Sequence, residues 1–193
     1  MLQEMFADVS GIGTTLEEMH DTRILGSLIP EFEEILFQTQ HDAYHIYTVD
    51  THSVLAVQEL SKLKNGEYDE QFPIFKNVLE EIHSPGSLVL GVLFHDIGKG
   101  KGGNHSEKGA ELAKTITTRF GYSESERQMI EFLVRSHLLM PHISQRRDLE
   151  DANLIGTSYI YVAGAFLTLE PPLINAQTSE LESQAAREAR VCR

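Results

Sequence analysis

The chain has a single cysteine, Cys192, among its 193 residues. No internal disulfide can form, so a reducing cytosol is the expected compartment. Any metal site must then be built from nitrogen and oxygen donors rather than thiolates. Positive charge is scarce as well: 16 Lys and Arg stand against 29 Asp and Glu, a net charge of -13. That balance argues against a nucleic-acid groove or an anionic membrane surface as the main partner. A small phosphate-containing substrate stays open, because a local basic cluster or a metal ion can reverse the sign inside one pocket. Long apolar runs are also missing. The opening Met-Leu-Gln-Glu-Met-Phe-Ala-Asp has no basic region and no apolar stretch of signal length. The apolar segment from Tyr159 to Leu169 falls far short of the roughly 20 residues that span a bilayer. The expectation is a cytoplasmic protein with no membrane and no nucleic-acid partner.

Hairpin signals and internal repeats are absent too, and the remaining pattern is helical. Thr14 to Leu28 and Glu31 to Gln38 read as helices divided by Pro30. A longer helix follows Asp42, with Val49, Ala56, Leu60 and Leu63 at helical spacing and a stop at Asn65-Gly66. Phe72 to Ile82 is amphipathic and ends at Ser84-Pro85-Gly86. Leu88 to Phe94 is apolar on all sides, which predicts a central buried helix. Lys99 to Asn104 reads as a flexible basic loop, Ser106 to Phe120 as a helix, and Glu124 to Leu139 as another, opened by the capping box Ser123-Glu124-Ser125-Glu126. The predicted fold is an all-α bundle of about six or seven helices over residues 1–155, followed by an atypical tail over 156–193.

Against one cysteine stand nine histidines. His95-Asp96 closes the apolar run and precedes Ile97-Gly98-Lys99. Successive side chains on a helix point about 100° apart, but at a helix end the chain turns and both can converge on one divalent cation. Imidazole nitrogen with carboxylate oxygen suits Mn²⁺, Fe²⁺ or Zn²⁺, and a shared carboxylate can bridge two ions. His52 lies on the same helical face as Val49 and Ala56. A histidine on an apolar stripe is more often a core residue, yet this one precedes His95-Asp96 by 43 residues. His105 follows the glycine-rich loop, and His137 stands near the end of its helix. Lys99, on a glycine loop beside this constellation, is placed to meet a phosphoryl oxygen, with Lys101, Arg146 and Arg147 adding to the field. His20, His83 and His142 fit no pattern and are read as surface or structural residues.

His52 followed by His95-Asp96-Ile97-Gly98-Lys99 resembles the signature of the HD phosphohydrolase superfamily. The resemblance implies an HD-domain helical bundle and one or two divalent ions (Mn²⁺, Fe²⁺, Mg²⁺ or Zn²⁺). His52, His95 and Asp96 would hold the first ion, and His105 and His137 would serve a second. Asp96 and Lys99 would then be the catalytic pair. A metal so held is expected to acidify water and to offset the negative charge that develops at phosphorus.

A closer resemblance covers about residues 14 to 155. Leu25 to Phe32, Gln40 to His52, Phe94 to Ser106 and Gln145 to Leu149 are similar to stretches of bifunctional uridylyltransferase/uridylyl-removing enzymes, which modify the nitrogen-regulatory protein PII. That family joins a nucleotidyltransferase domain, an HD domain and two ACT domains. This sequence has no Gly-Ser followed by Asp-x-Asp, so only the HD portion is matched. The resemblance implies hydrolysis of the UMP–tyrosine phosphodiester on uridylylated PII. His41 and His45 fall within the matching stretch, which implies substrate contact or support of the site.

One departure stands out. The superfamily pattern closes with an aspartate on a later helix, and no Asp occurs after Asp151. Its absence predicts weak metal retention, weak activity or both. It also keeps two alternatives open: an HD hydrolase of free nucleotides, and an impaired HD module that binds a nucleotide or partner without turnover.

Overall fold

The computed structural model of the chain describes residues 2–39, 47–71 and 73–138, the side chains of 74–76 aside. These residues lie in the first of two units, Met1–Leu149 and Glu150–Arg193, into which the chain divides. The boundary at residue 155 drawn from the sequence falls outside them. Among the described residues there is no strand. Nine α-helices and one 3-10 turn follow in order: α1 Leu2–Ala7, α2 Val9–Asp21, α3 Ile24–Leu28, α4 Pro30–Glu33, α5 Val49–Lys64, α6 Pro73–Glu80, α7 Pro85–Phe94, the turn Ile97–Lys101, α8 His105–Arg119 and α9 Glu124–Ser136. Only six of the nine reach eight residues, which are the elements that periodicity can reveal; the short ones raise the count above the sequence reading.

α7 is the central helix. Val89, Leu90, Leu93 and Phe94 are fully buried, and Gly86, Ser87 and Gly91 are buried as well. Pro85 opens it at a position where a missing N–H costs nothing. Gly91 lets α9 come close, since a Cβ there would stand 2.7 Å from Leu133 Cδ1. On the other side, α2 buries Val9, Ile12, Gly13 and Leu16 at helical spacing against α5. A Cβ on Gly13 would lie 2.9 Å from the Gln58 Cα, so the two backbones nearly touch. Ser61 fastens this crossing: its hydroxyl donates to the Val9 carbonyl (2.6 Å) and accepts from the Gly13 N–H (3.1 Å). Each fully buried Leu, Ile or Phe of this core contributes about 1.5–3 kcal/mol relative to exposure.

The helix ends follow local chemistry. α5 stops at Asn65-Gly66 as expected, with Gly66 at φ 82° and the paired bonds Glu67 N–H to Lys62 carbonyl and Gly66 N–H to Leu63 carbonyl. α9 opens with the capping box at Ser123 and Glu126. Three expectations need correction. The helix over Glu31 to Gln38 ends at Glu33, and Phe37 takes φ 54°, which no helix continues through. The single helix over Thr14 to Leu28 is broken: the Thr22 hydroxyl donates back to the Glu18 carbonyl (2.6 Å), and Arg23 takes φ 64°, which splits α2 from α3. The flexible loop over Lys99 to Asn104 is in its first half a 3-10 turn with Ile97 and Gly98 buried.

Candidate metal centre

α7 ends where the chemistry starts. His95 still has helical dihedrals (φ -52°, ψ -36°), whereas Asp96 departs to φ -110°, ψ 5°. This change of direction lets adjacent side chains face the same space. α5 brings His52 from one side, its ring centroid 5.1 Å from that of His95. α8 brings His105 at its first residue, and the end of α9 brings His137. The His137 ring lies 5.4 Å from both His95 and His105. Gly98 sets the spacing between the Asp96 turn and α8: a Cβ there would sit 2.1 Å from the His105 carbonyl oxygen and 2.5 Å from the Gly109 nitrogen.

Asp96 is the hub and is almost fully buried, at 3% exposure. Its two oxygens face different ways. Oδ2 lies 3.1 Å from His95 Nε2 and 2.7 Å from Lys99 Nζ. Oδ1 lies 3.5 Å from His137 Nε2 and 3.9 Å from His105 Nε2. Two ligand sets result, His52–His95–Asp96 and Asp96–His105–His137, each with donor atoms within 4.8 Å of one another. Donors on one ion at about 2.1 Å stand roughly 3.4 Å apart in tetrahedral geometry, so a contraction of up to about 1.4 Å closes either set.

The ring orientations suit coordination. His95 Nδ1 lies 2.7 Å from the Val92 carbonyl, and His137 Nδ1 lies 2.7 Å from the Val134 carbonyl. A carbonyl only accepts, so both Nδ1 atoms carry the hydrogen and donate. In the neutral ring, Nε2 is then a lone pair aimed at the Asp96 carboxylate. Lone pair facing lone pair at 3.1 Å is repulsive unless a proton or cation lies between. His105 Nε2 and His137 Nε2 are buried with no hydrogen-bond partner. Desolvation, the largest influence on Asp96, pushes its carboxyl pKa up. Contacts with His137, His95 and Lys99 overcome that and hold it far below the usual carboxylate range. Burial, opposed by Asp96 and helped by His137, Lys99 and His95, lowers the pKa of His105. A buried carboxylate ringed by imidazole nitrogens is a donor set that fits a divalent cation.

The structure thus brings together His52, His95, Asp96, Lys99, His105 and His137. Lys101 stands apart, in an ion pair with Glu34. His41, His45, Arg146 and Arg147 lie outside the described residues. Sequence reasoning missed the supports. His20, read as surface or structural, is structural: its Nε2 lies 2.9 Å from Oδ2 of the fully buried Asp50, a pairing across 30 residues that leaves no local pattern. The helix-end position of His95 and His137, by contrast, is a local signal from which a ring bonded back to the preceding turn could have been read.

No helix among the described residues is long and apolar enough to cross a membrane. The family model described as HD domain matches residues 49–177. The chain is 42% identical over 152 residues to the bifunctional uridylyltransferase/uridylyl-removing enzyme of Azotobacter vinelandii. It is 41% identical to that of Pseudomonas savastanoi pv. phaseolicola and 38% identical to that of Pseudomonas aeruginosa. Each alignment takes in 79% of this chain but 17% of the relative, so the chain spans about a sixth of the length of the curated relatives it matches. No solved structure matches it. With a family match over more than half its length and the His–Asp constellation at its centre, the chain belongs to the HD domain family of metal-dependent phosphohydrolases.

Proposed function

We propose that this chain is a divalent-metal phosphodiesterase of uridylyl-removing type, acting on UMP-tyrosine of a PII-like signal protein. The observation that carries the metal chemistry is Asp96: a buried carboxylate whose two oxygens face two separate histidine sets. His52, His95 and Asp96 would hold one cation, and Asp96, His105 and His137 another. When bound, such cations supply Lewis-acid polarisation of a phosphoryl oxygen and acidify water near neutral pH.

The rest is the work of side chains. The Lys99 ammonium brings positive charge to the edge of the site, where it balances a phosphoryl oxygen as charge builds in the transition state. The Val92 and Val134 carbonyls keep the His95 and His137 rings turned inward. The net reaction adds the oxygen of water to phosphorus and breaks the bond from phosphorus to the phenolic oxygen. UMP leaves, and the tyrosine oxygen takes up a proton. Lys101, Arg146, Arg147, His41 and His45 are the candidates for holding the nucleotide or its protein carrier.

The relatives are named for uridylyl removal, which supports this substrate over others. The test is release of UMP from uridylylated PII by the purified chain with Mn²⁺, alongside hydrolysis of bis-p-nitrophenyl phosphate. Turnover of the small diester without UMP release points to a free-nucleotide hydrolase. Bound nucleotide without any turnover supports the binding module, the reading favoured by the absence of Asp after Asp151.

A further inference from the structure

The turn that carries Lys99 leans on a segment outside the metal set, residues 34–38. Gln38 Nε2 donates to the Lys99 carbonyl at 3.1 Å. A Cβ at Gly100 would stand 3.1 Å from the Glu34 carbonyl oxygen, so the two backbones are in contact, and Lys101 pairs with Glu34 alongside. The segment is in turn pinned to α5, the helix that supplies His52. Val49 N–H donates to the Gln38 carbonyl (3.0 Å), and Phe37 N–H donates to Asp50 Oδ1 (3.2 Å). The other Asp50 oxygen is taken by His20.

Two oddities mark the segment as more than a connection. Phe37 sits at φ 54°, in the left-handed region that bulky side chains avoid, although its own ring is 67% exposed. Core packing therefore does not impose that conformation; the main-chain bonds on either side of it do. Gln38 Oε1 is buried without a partner. Its amide serves there as a donor only, to one carbonyl, and leaves an acceptor unpaired.

We infer that Gln38 is a positioning residue for Lys99. It ties the carbonyl of the Lys99 turn to the first turn of α5, and so fixes the ammonium at Asp96 in register with His52. The kinetic consequence rests on the phosphohydrolase reading; the structural one does not. Gln38→Met keeps the length and packing of the side chain and removes both the donor and the unpaired acceptor.

In the full 193-residue chain, without metal, amide hydrogen exchange over residues 97–101 should speed up about tenfold in Gln38→Met while α8 and α9 stay protected. Unchanged exchange in that turn overturns the inference whatever the activity does. With Mn²⁺ and bis-p-nitrophenyl phosphate, kcat should fall about tenfold with KM little changed. In a Lys99→Ala background the same substitution should add less than about twofold, because its effect passes through Lys99. Losses that multiply in the double variant overturn it too. Gln38→Asn, which keeps an amide but falls short of the carbonyl, should reproduce both results if Gln38→Met folds poorly. A wild-type chain with no turnover defeats the phosphohydrolase reading, and the exchange arm still decides Gln38.

Discussion

Among the described residues two buried carboxylates meet imidazoles, and they are built on opposite principles. Asp50 is closed: His20 Nε2 and the Phe37 N–H fill its two oxygens at 2.9 and 3.2 Å, and its carboxyl holds a strap of main chain in place. Asp96 is open. His95 and His137 spend their Nδ1 hydrogens on backbone carbonyls, and the Nε2 atoms of His105 and His137 are buried without a hydrogen-bond partner. A structural pair balances donors against acceptors, whereas around Asp96, Lys99 aside, acceptor nitrogens gather and leave the balance to a cation. The sequence motif alone does not draw this distinction, since His-Asp also occurs at His41-Asp42.

The contrast can be broken from the Asp96 side with the greatest effect. Asp96→Ala removes the carboxylate shared by both ligand sets, so Mn²⁺-dependent hydrolysis of bis-p-nitrophenyl phosphate should fall at least about 10³-fold, to background. Metal analysis of the same variant should show loss of bound ion, and retained turnover would exclude Asp96 from the centre. Next in size is the response to metal itself. Mn²⁺ at about 100 times its dissociation constant should stabilise the wild type by about 2.7 kcal/mol. A thermal melt with and without chelator measures this, and the shift should vanish in Asp96→Ala.

The closed pair should respond in the other sense. Asp50→Ala leaves the His20 ring and the Phe37 N–H without their acceptor, which should cost about 1–3 kcal/mol in chemical denaturation. The metal-induced shift in melting should persist, because none of the ligands is removed; its loss would merge the two sites into one. The smallest effect belongs to a half-buried control away from both sites. Glu31 accepts two bonds from the Arg119 guanidinium, both at 2.8 Å, which hold its carboxyl below the ordinary range. A depressed carboxylate stabilises the fold above its unfolded pKa and loses that contribution as pH falls through the folded value. Glu31→Gln should therefore cost under about 1 kcal/mol near neutrality and flatten the loss of stability on the acid side. Denaturant titrations between pH 7 and pH 3 measure both.

Much of the centre could be read in one dimension because its members mark themselves. His95-Asp96 ends the apolar run, His105 follows the glycine-rich loop, and His137 ends an amphipathic helix. The all-helical class followed from the spacing along α2, α5, α8 and α9. The bend at Arg23 could not be read, since neither Gly nor Pro announces it and the Thr22 hydroxyl does the work. Lys99 to Asn104 looked mobile from its glycines, yet Gly98 and Gly100 serve there as places for other backbones to approach. His20–Asp50 and Gln38–Lys99 span 30 and 61 residues. Pairings of that range belong to tertiary packing, and no local periodicity encodes them.

The lack of a side chain at position 98 has a consequence of its own. With the His105 carbonyl 2.1 Å from where a methyl group would be, even alanine would drive a wedge between the turn and the start of α8. Ligands on either side of that joint are thus mounted on one stiff bracket. Their mutual distance is inherited from the backbone, and they can be loosened together by one small wedge that touches none of them.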